Sequence, residues 1–373
     1  MAEKYSLKDD LFNPETIGDL AGFFLVADPS FQAQVFTDAV LAPFAQLELK
    51  QRIAHIATVL EDHLSPDFPT AAEQIMAMLP PPLDPSRRDD DFGRFIFAPL
   101  GDYVVTHGLA AHLDLSLDLL EALTQRFSME FAIRPFLNHW PSQVLARMES
   151  WMLHDNYHVR RLVSEGTRPK LPWGIKVGLG VTDPVPYLDK LHADPTRFVT
   201  RSVANHLNDI SKIDADLVVD ILTRWQSEGR QEIKEMQWIT RHALRGLVKK
   251  GHVGALKLLG YRTDPDVNVT HFAPDRDQLM IGESFTFSGQ LTAQCDEALM
   301  VDYVVDFVKS NGKTAPKVFK LKQVQMKAGE TLNLSKKHLF KKGATTFTHY
   351  PGVQRLSLQV NGKILAGFDF TLE

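Results

Sequence analysis

Val159-Arg160-Arg161, Val199-Thr200-Arg201 and Ile239-Thr240-Arg241 repeat one pattern at a spacing of 40 residues, each with an arginine in third place. The match extends around them: Val163, Val203 and Ala243 align, and so do Leu207 and Leu247. A period near 40 with apolar residues at helical spacing predicts a helical solenoid of the HEAT or armadillo type. A basic residue at one position of each unit predicts a row of positive charge along one face. Such a row fits a long polyanion better than a small substrate.

Upstream of the repeats, residues 1–80 read as helices separated by short breaks, with apolar residues of Ile53–Leu60 at helical spacing. Pro80–Pro85 interrupts the pattern and Arg87–Asp91 is a charged loop. Ser116 is the expected N-cap of a helix through Leu119, Leu120 and Leu123. Gly166, Pro169 and Pro172 stop the helix that carries Arg160 and Arg161, leaving Gly166–Trp173 as a stiff loop.

From about Asp266 the period changes from helical to alternating, in Phe285–Ser288, Val318–Val324 and Leu356–Val360. Asn361-Gly362 before Ile364–Phe370 predicts a type I′ hairpin. Roughly seven short strands fit an immunoglobulin-like sandwich without its paired cysteines. The expected organisation is therefore multidomain: an all-α HEAT-like helical-repeat superhelix over residues 1–265, then an all-β immunoglobulin-like sandwich over residues 266–373.

The net charge of -5 conceals an uneven spread. Residues 1–125 hold 7 Lys/Arg against 20 Asp/Glu, whereas residues 126–265 hold 21 against 15. The acidic first third would repel nucleic acid and the repeat region would attract it. Ten lysines lie between Lys309 and Lys342. They either protect edge strands or, at Lys336-Lys337 and Lys341-Lys342, touch phosphates. With Cys295 as the single cysteine, no disulfide forms within the chain. No signal peptide and no membrane span are expected, and the location expected is cytoplasmic.

The densest polar stretches are RRLVSEGTRPKLPWG (Arg160–Gly174) and SVANHLNDISK (Ser202–Lys212), with QRFSMEFAIRPFL (Gln125–Leu137) before them. In these strings the chain resembles the AlkC branch of the AlkC/AlkD bacterial DNA alkylation-repair glycosylases. The sandwich is similar to the domain found in one AlkC subgroup. The resemblance implies hydrolysis of the N-glycosidic bond of small cationic bases such as 3-methyladenine and 3-methylcytosine, in base excision repair of double-stranded DNA. It also implies a helical superhelix that holds the duplex without fully flipping the base.

An alkylated base is a good leaving group, so the protein needs to stabilise the developing sugar cation and orient a water. Carboxylates do both, and Glu130, Glu165 and Asp209 are those of the resembling strings. Trp173 could pack on the lesion or its sugar. Each has a structural alternative: Glu165 as partner of Arg161 one turn away, Glu130 as a solvated helix residue, Asp209 as a cap or a partner of Asn205 and Asn208, Trp173 as a loop plug. Arg161, Arg201 and Arg241 of the repeat, Arg168, Lys170 and Lys212 of the strings, and Arg245, Lys249 and Lys250 further on suit phosphate contacts. His154 and His158 stand at metal-ligand spacing but no third ligand is evident. Gly178-Leu179-Gly180 lacks the rest of a nucleotide loop. The expectation is a monofunctional enzyme, monomeric, with no metal or organic cofactor. The rival reading is a non-catalytic helical-repeat module that binds DNA or protein.

Overall fold

Proline and acidic residues punctuate the apolar runs of the first part, and helices begin where they stand. The computed structural model describes residues 6–89, 91–343 and 347–373. The first helices are α1 (Leu7–Leu11), α2 (Pro14–Ala27), α3 (Ala33–Leu41), α4 (Leu49–Glu61), α5 (Phe68–Met78), α6 (Ala98–Gly108) and α7 (Leu113–Thr124). After them come α8 (Ile133–His139), α9 (Pro141–Trp151), α10 (Tyr157–Gly166) and α11 (Val185–Leu191). The series ends with α12 (Arg197–Ile210), α13 (Ala215–Glu228), α14 (Ile233–Lys249) and α15 (Val253–Leu258). At α2, Asn13 accepts from the Thr16 N–H and Thr16 Oγ1 accepts from the Asn13 N–H, a capping box with Pro14 at the first position.

Ser116 is not an N-cap. It lies inside α7, fully buried, and the helix starts at Leu113 behind His112. The leucines 113, 117 and 120 carry the helical phase a turn further back than the cap signal. Ser116 packs on α6 at Gly108, where an added Cβ would come within 2.0 Å of its Oγ. A small side chain is what that crossing needs.

The three repeat arginines fall on α10, α12 and α14, as the period requires. Val159, Leu162 and Val163 of α10 and Val199, Val203 and Leu207 of α12 are buried, and the two helices pack together.

The strands are β1 (Val267–Pro274), β2 (Gln278–Leu279), β3 (Ser284–Ala293), β4 (Glu297–Val308), β5 (Thr314–Met326), β6 (Thr331–Leu339), β7 (Gly352–Val360) and β8 (Lys363–Leu372). They form a sheet of order β1-β3-β6 and a sheet of order β2-β8-β7-β4-β5. Phe285 and Phe287 of β3, Tyr303 and Val305 of β4, Leu356 of β7 and Phe370 of β8 fill one core cluster. Asn361 and Gly362 both have positive φ, 47° and 81°, as a type I′ turn demands. Lys336 and Lys337 lie within the edge strand β6, and Lys317, Lys320 and Lys322 within the edge strand β5. Charge along an edge blocks pairing with another chain.

The architecture is a helical region followed by a strand-rich immunoglobulin-like domain. By its contacts the chain divides into two compact units. One holds the described residues up to Ile213 together with Trp225–Ala243; the other holds Asp214–Arg224 and Leu244–Glu373. No helix among the described residues is long and apolar enough to cross a membrane.

Candidate active site

The last residue of helix α10 is Gly166, and α8 passes close to it: an added Cβ would stand 2.7 Å from Ile133 Cγ2. Thr167 closes the helix, its hydroxyl donating to the Val163 carbonyl at 2.7 Å. Arg134 of α8 is 1% exposed and donates to the carbonyls of Gly166, Arg168 and Ile175, pinning the chain after α10. Burial, with the Arg168 guanidinium nearby, lowers Arg134 to about 10, still charged at neutral pH. In this pinned loop Trp173 adopts φ 66°, a left-handed conformation that favours glycine. Trp173 is 56% exposed, so it is no core plug. Lys50 Nζ donates to the Trp173 carbonyl at 2.6 Å.

The three carboxylates meet. Glu130 comes from the turn before α8, Glu165 from the end of α10 and Asp209 from the end of α12. Arg161 Nη1 donates to Glu130 Oε2 at 2.5 Å and its Nη2 lies 3.6 Å from Glu165 Oε1. Arg168 donates to Glu165 Oε1 at 2.5 Å and to Asp209 Oδ2 at 2.8 Å. Lys212 Nζ completes the series at 2.8 Å from Asp209 Oδ1. The result is one alternating chain of charge, Glu130–Arg161–Glu165–Arg168–Asp209–Lys212. Glu130 is thus a turn residue, not one on a helix, and Asp209 pairs with cations instead of Asn205 or Asn208.

Hydroxyls hold the chain in place. Ser202 Oγ donates to Glu165 Oε2 at 2.6 Å, and Ser128 Oγ donates to Glu130 Oε2 at 2.7 Å while accepting from Arg161 at 2.9 Å. Burial alone would raise the Glu165 carboxyl. Arg161, then Arg168, then the Ser202 hydrogen bond outweigh it and hold the group below its usual range. Beneath them His206 is fully buried with its Nδ1 at 3.0 Å from the Ser164 carbonyl, and burial lowers it to about 4. The imidazole is therefore neutral at pH 7. All four oxygens of Glu165 and Asp209 are engaged. Glu130 Oε1 is the carboxylate oxygen of the cluster that accepts no hydrogen bond among the described residues.

The other expected site residues divide. Arg161 also lies over the Phe198 ring at 4.8 Å. Arg201 is ion-paired with Asp89. Lys170 and Arg241 are exposed and form no ion pair among the described residues. Arg245 is half-buried on α14, with Lys249 and Lys250 exposed at its C-terminal end. His154 and His158 do not share a setting: His154 Nε2 is 3.4 Å from Glu121, whereas His158 is buried between Tyr157 and Phe198. Sequence reasoning gave no role to Arg134, Ser128 or Ser202. Arg134 had a signal, a lone cation among Ile133, Phe136 and Leu137, whereas a serine on a helix face has none.

Residues 268–373 match the family model described as "Uncharacterised protein YhaZ, C-terminal Ig-like domain". Over 365 residues, 97% of this chain and 98% of the relative, the sequence is 33% identical to "Uncharacterized protein YhaZ" of Bacillus subtilis (strain 168). The solved structure of the Pseudomonas fluorescens alkylpurine DNA glycosylase AlkC, bound to DNA containing an abasic site analog, superposes with a TM-score of 0.87 and 34% identity. That likeness covers 99% of this chain and 100% of the Pseudomonas chain. The helical part, the sandwich and the order of both are shared along the full length, and the chain belongs to the AlkC family, in the subgroup that carries a C-terminal immunoglobulin-like domain.

Proposed function

We propose that this chain is a monofunctional DNA glycosylase that hydrolyses the N-glycosidic bond of small cationic alkylated bases, 3-methyladenine and 3-methylcytosine, in double-stranded DNA. The observation that carries the reading is the convergence of Glu130, Glu165 and Asp209 from three separate segments onto one charge chain. The Pseudomonas relative, solved on DNA with an abasic site analog, supports the same reaction, because an abasic site is what base excision leaves behind.

In the proposed reaction the bond from C1′ to the base breaks and its electron pair stays on the base, which loses its positive charge. The sugar is left cationic. The carboxylates stabilise it, and Glu130, with its open Oε1, orients the water that adds to C1′ and takes the proton it loses. Glu165 and Asp209 hold Arg161 and Arg168 in place and contribute field, and the exposed Trp173 ring packs on the lesion nucleotide, with a cation–π gain of about 0.5–2 kcal/mol. No lysine forms a covalent intermediate, so the product is an abasic site in an intact strand. Arg161, Lys170, Arg201, Lys212, Arg241, Arg245, Lys249 and Lys250 bind phosphates; Arg168, expected from the sequence to do so, is buried with all three guanidinium nitrogens on Glu165 and Asp209 and serves the carboxylates instead. The HEAT-like domain of residues 1–265 and the sandwich of residues 266–373 act together as a monomer that needs no cofactor, and the base leaves without full flipping.

The test is release of methylated base from alkylated DNA. Wild-type protein releases base; Glu130→Gln lowers the single-turnover rate by about 100-fold or more while DNA affinity stays within a few-fold. The ion pairing of Glu165 and Asp209 favours a second reading, a DNA-binding module without chemistry. Folded protein that binds DNA and releases no methylated base would establish that reading and end the first.

A further inference from the structure

Beside Trp173 the helical part contains a pocket of about 220 Å³. Its lining is mainly apolar, with Phe95, Phe127, Phe131 and Trp173 among aliphatic side chains such as Ile53 and Val105. Two charged groups stand on its wall, Lys50 of α4 and Asp102 of α6. Lys50 donates one of its three N–H groups to the Trp173 carbonyl. The Asp102 carboxylate is partly buried and accepts no hydrogen bond and forms no ion pair among the described residues. Burial raises it above the usual carboxylate range, with Lys50 pulling the other way. Ser128 lines the same pocket and donates to Glu130, so the pocket begins where the charge chain begins.

These features select a ligand. Aliphatic and aromatic walls with a few polar groups are the chemistry of a small-molecule site. Pockets for drug-sized ligands run to about 300–1,000 Å³, so this smaller volume suits a single ring system and not a nucleotide. One ammonium and one carboxylate leave no net charge, which favours a neutral ligand over a phosphate or a cation. An unpaired carboxylate calls for an N–H donor. We infer that this pocket receives the excised base, a neutral, planar, methylated heterocycle whose amino group donates to Asp102 and whose faces lie on the aromatic rings. The inference rests on the glycosylase reading: cleavage leaves the glycosidic electron pair on the cationic base, and the neutral product is what the pocket fits.

Calorimetric titration of free 3-methyladenine and 3-methylcytosine into the full chain, with adenosine monophosphate as the charged control, tests it. The bases bind saturably and the nucleotide does not. Asp102→Leu, which removes the acceptor, and Ile53→Trp, which fills the pocket, each weaken binding by about tenfold or more, consistent with one charge-assisted hydrogen bond; circular dichroism establishes that both variants are folded. No saturable binding to the wild type, or wild-type affinity in both variants, overturns the inference. Base release from alkylated DNA, measured in parallel, separates the two ideas. Excision without free-base binding removes the pocket and leaves the glycosylase. Free-base binding without excision overturns the glycosylase and with it the assignment of the ligand as a product.

Discussion

The contact of α10 with α12 and the centre of the sandwich both bury apolar side chains, but the helical contact buries charged groups among them. In the sandwich, Phe285 meets Phe370 at 5.1 Å and Phe340 at 5.8 Å, within a cluster of aromatic and aliphatic side chains. Such burial stabilises in proportion to area, about 25 cal/mol per Å². The helices bury valines and leucines as well, but their contact and the loop after α10 also bury Glu165, Arg168, Ser202, His206 and Asp209. Desolvating an ion costs several kcal/mol, which good pairing only offsets, and apolar residues in the same space would be as stable or more so. The helical contact therefore keeps its charges for something other than stability, whereas the sandwich core needs no reason beyond it.

The largest effects test that contrast directly. Phe285→Ala leaves a cavity and costs about 3–5 kcal/mol. Glu165→Ala costs about 3–5 kcal/mol as well, for a different reason: two guanidiniums lose a partner. Urea denaturation reads both. A double-mutant cycle tells them apart. Adding Arg168→Ala to Glu165→Ala restores part of the loss, with a coupling of about 0.5–3 kcal/mol. Strict additivity of those two changes would mean that the charge chain is not an energetic unit.

How legible each region was follows from the same contrast. The sandwich announced itself, because alternation and an Asn-Gly turn are local signals: Asn361 and Gly362 have the positive φ their types allow. The helical fold was legible from the period that puts Arg161, Arg201 and Arg241 on successive repeats. What those arginines touch was not. Arg161 pairs across 31 positions with Glu130 and Arg201 across 112 with Asp89, separations no periodicity encodes. The three carboxylates were nameable through the resembling strings, but their alternating order depends on Arg168 reaching back to Glu165 and across to Asp209. Ser202 and Ser128 become visible only once the helices pack. The N-cap assigned to Ser116 failed because a contact with Gly108 overrode a local preference.

Acid acts on both regions through their buried histidines. Burial lowers His158, His206 and, in the sandwich, His338 to about 4. Each is neutral in the folded chain near pH 5, while the unfolded chain binds a proton below its usual 6.5. Between those values the unfolded state holds more protons, so stability falls as pH falls. The slope is at most about 1.4 kcal/mol per pH unit for each histidine. Glu165 adds its own loss only lower, as pH drops below the ordinary carboxylate value of 4.5 toward its depressed folded one. Urea titrations from pH 7 to 4 measure the slope. His158→Phe flattens it by up to about 1.4 kcal/mol per unit, and an unchanged slope would mean that His158 is protonated in the folded chain.

The smallest effect concerns backbone strain, which the two regions also handle differently. Asn361 has positive φ in the sandwich and is held there by its side chain, which accepts from the Met300 N–H at 2.8 Å and donates to the Arg262 and Ala298 carbonyls. Trp173 has positive φ, is largely exposed, and its side chain makes no such hydrogen bond among the described residues. Its conformation is imposed by Arg134 and Lys50 on the surrounding carbonyls, at a cost of about 1–2 kcal/mol. Strain of this kind persists where the neighbours over-determine the loop. Alanine at position 173 removes the ring and keeps the strain; glycine removes both. On ordinary backbone glycine is the less stable of the two by about 0.5–1 kcal/mol. Here the order should reverse, with Trp173→Gly more stable than Trp173→Ala by about 1 kcal/mol, while both release methylated base more slowly than the wild type. If alanine proves the more stable, the loop does not hold Trp173 in the left-handed conformation, and the ring's position owes nothing to the carbonyl grip of Arg134 and Lys50.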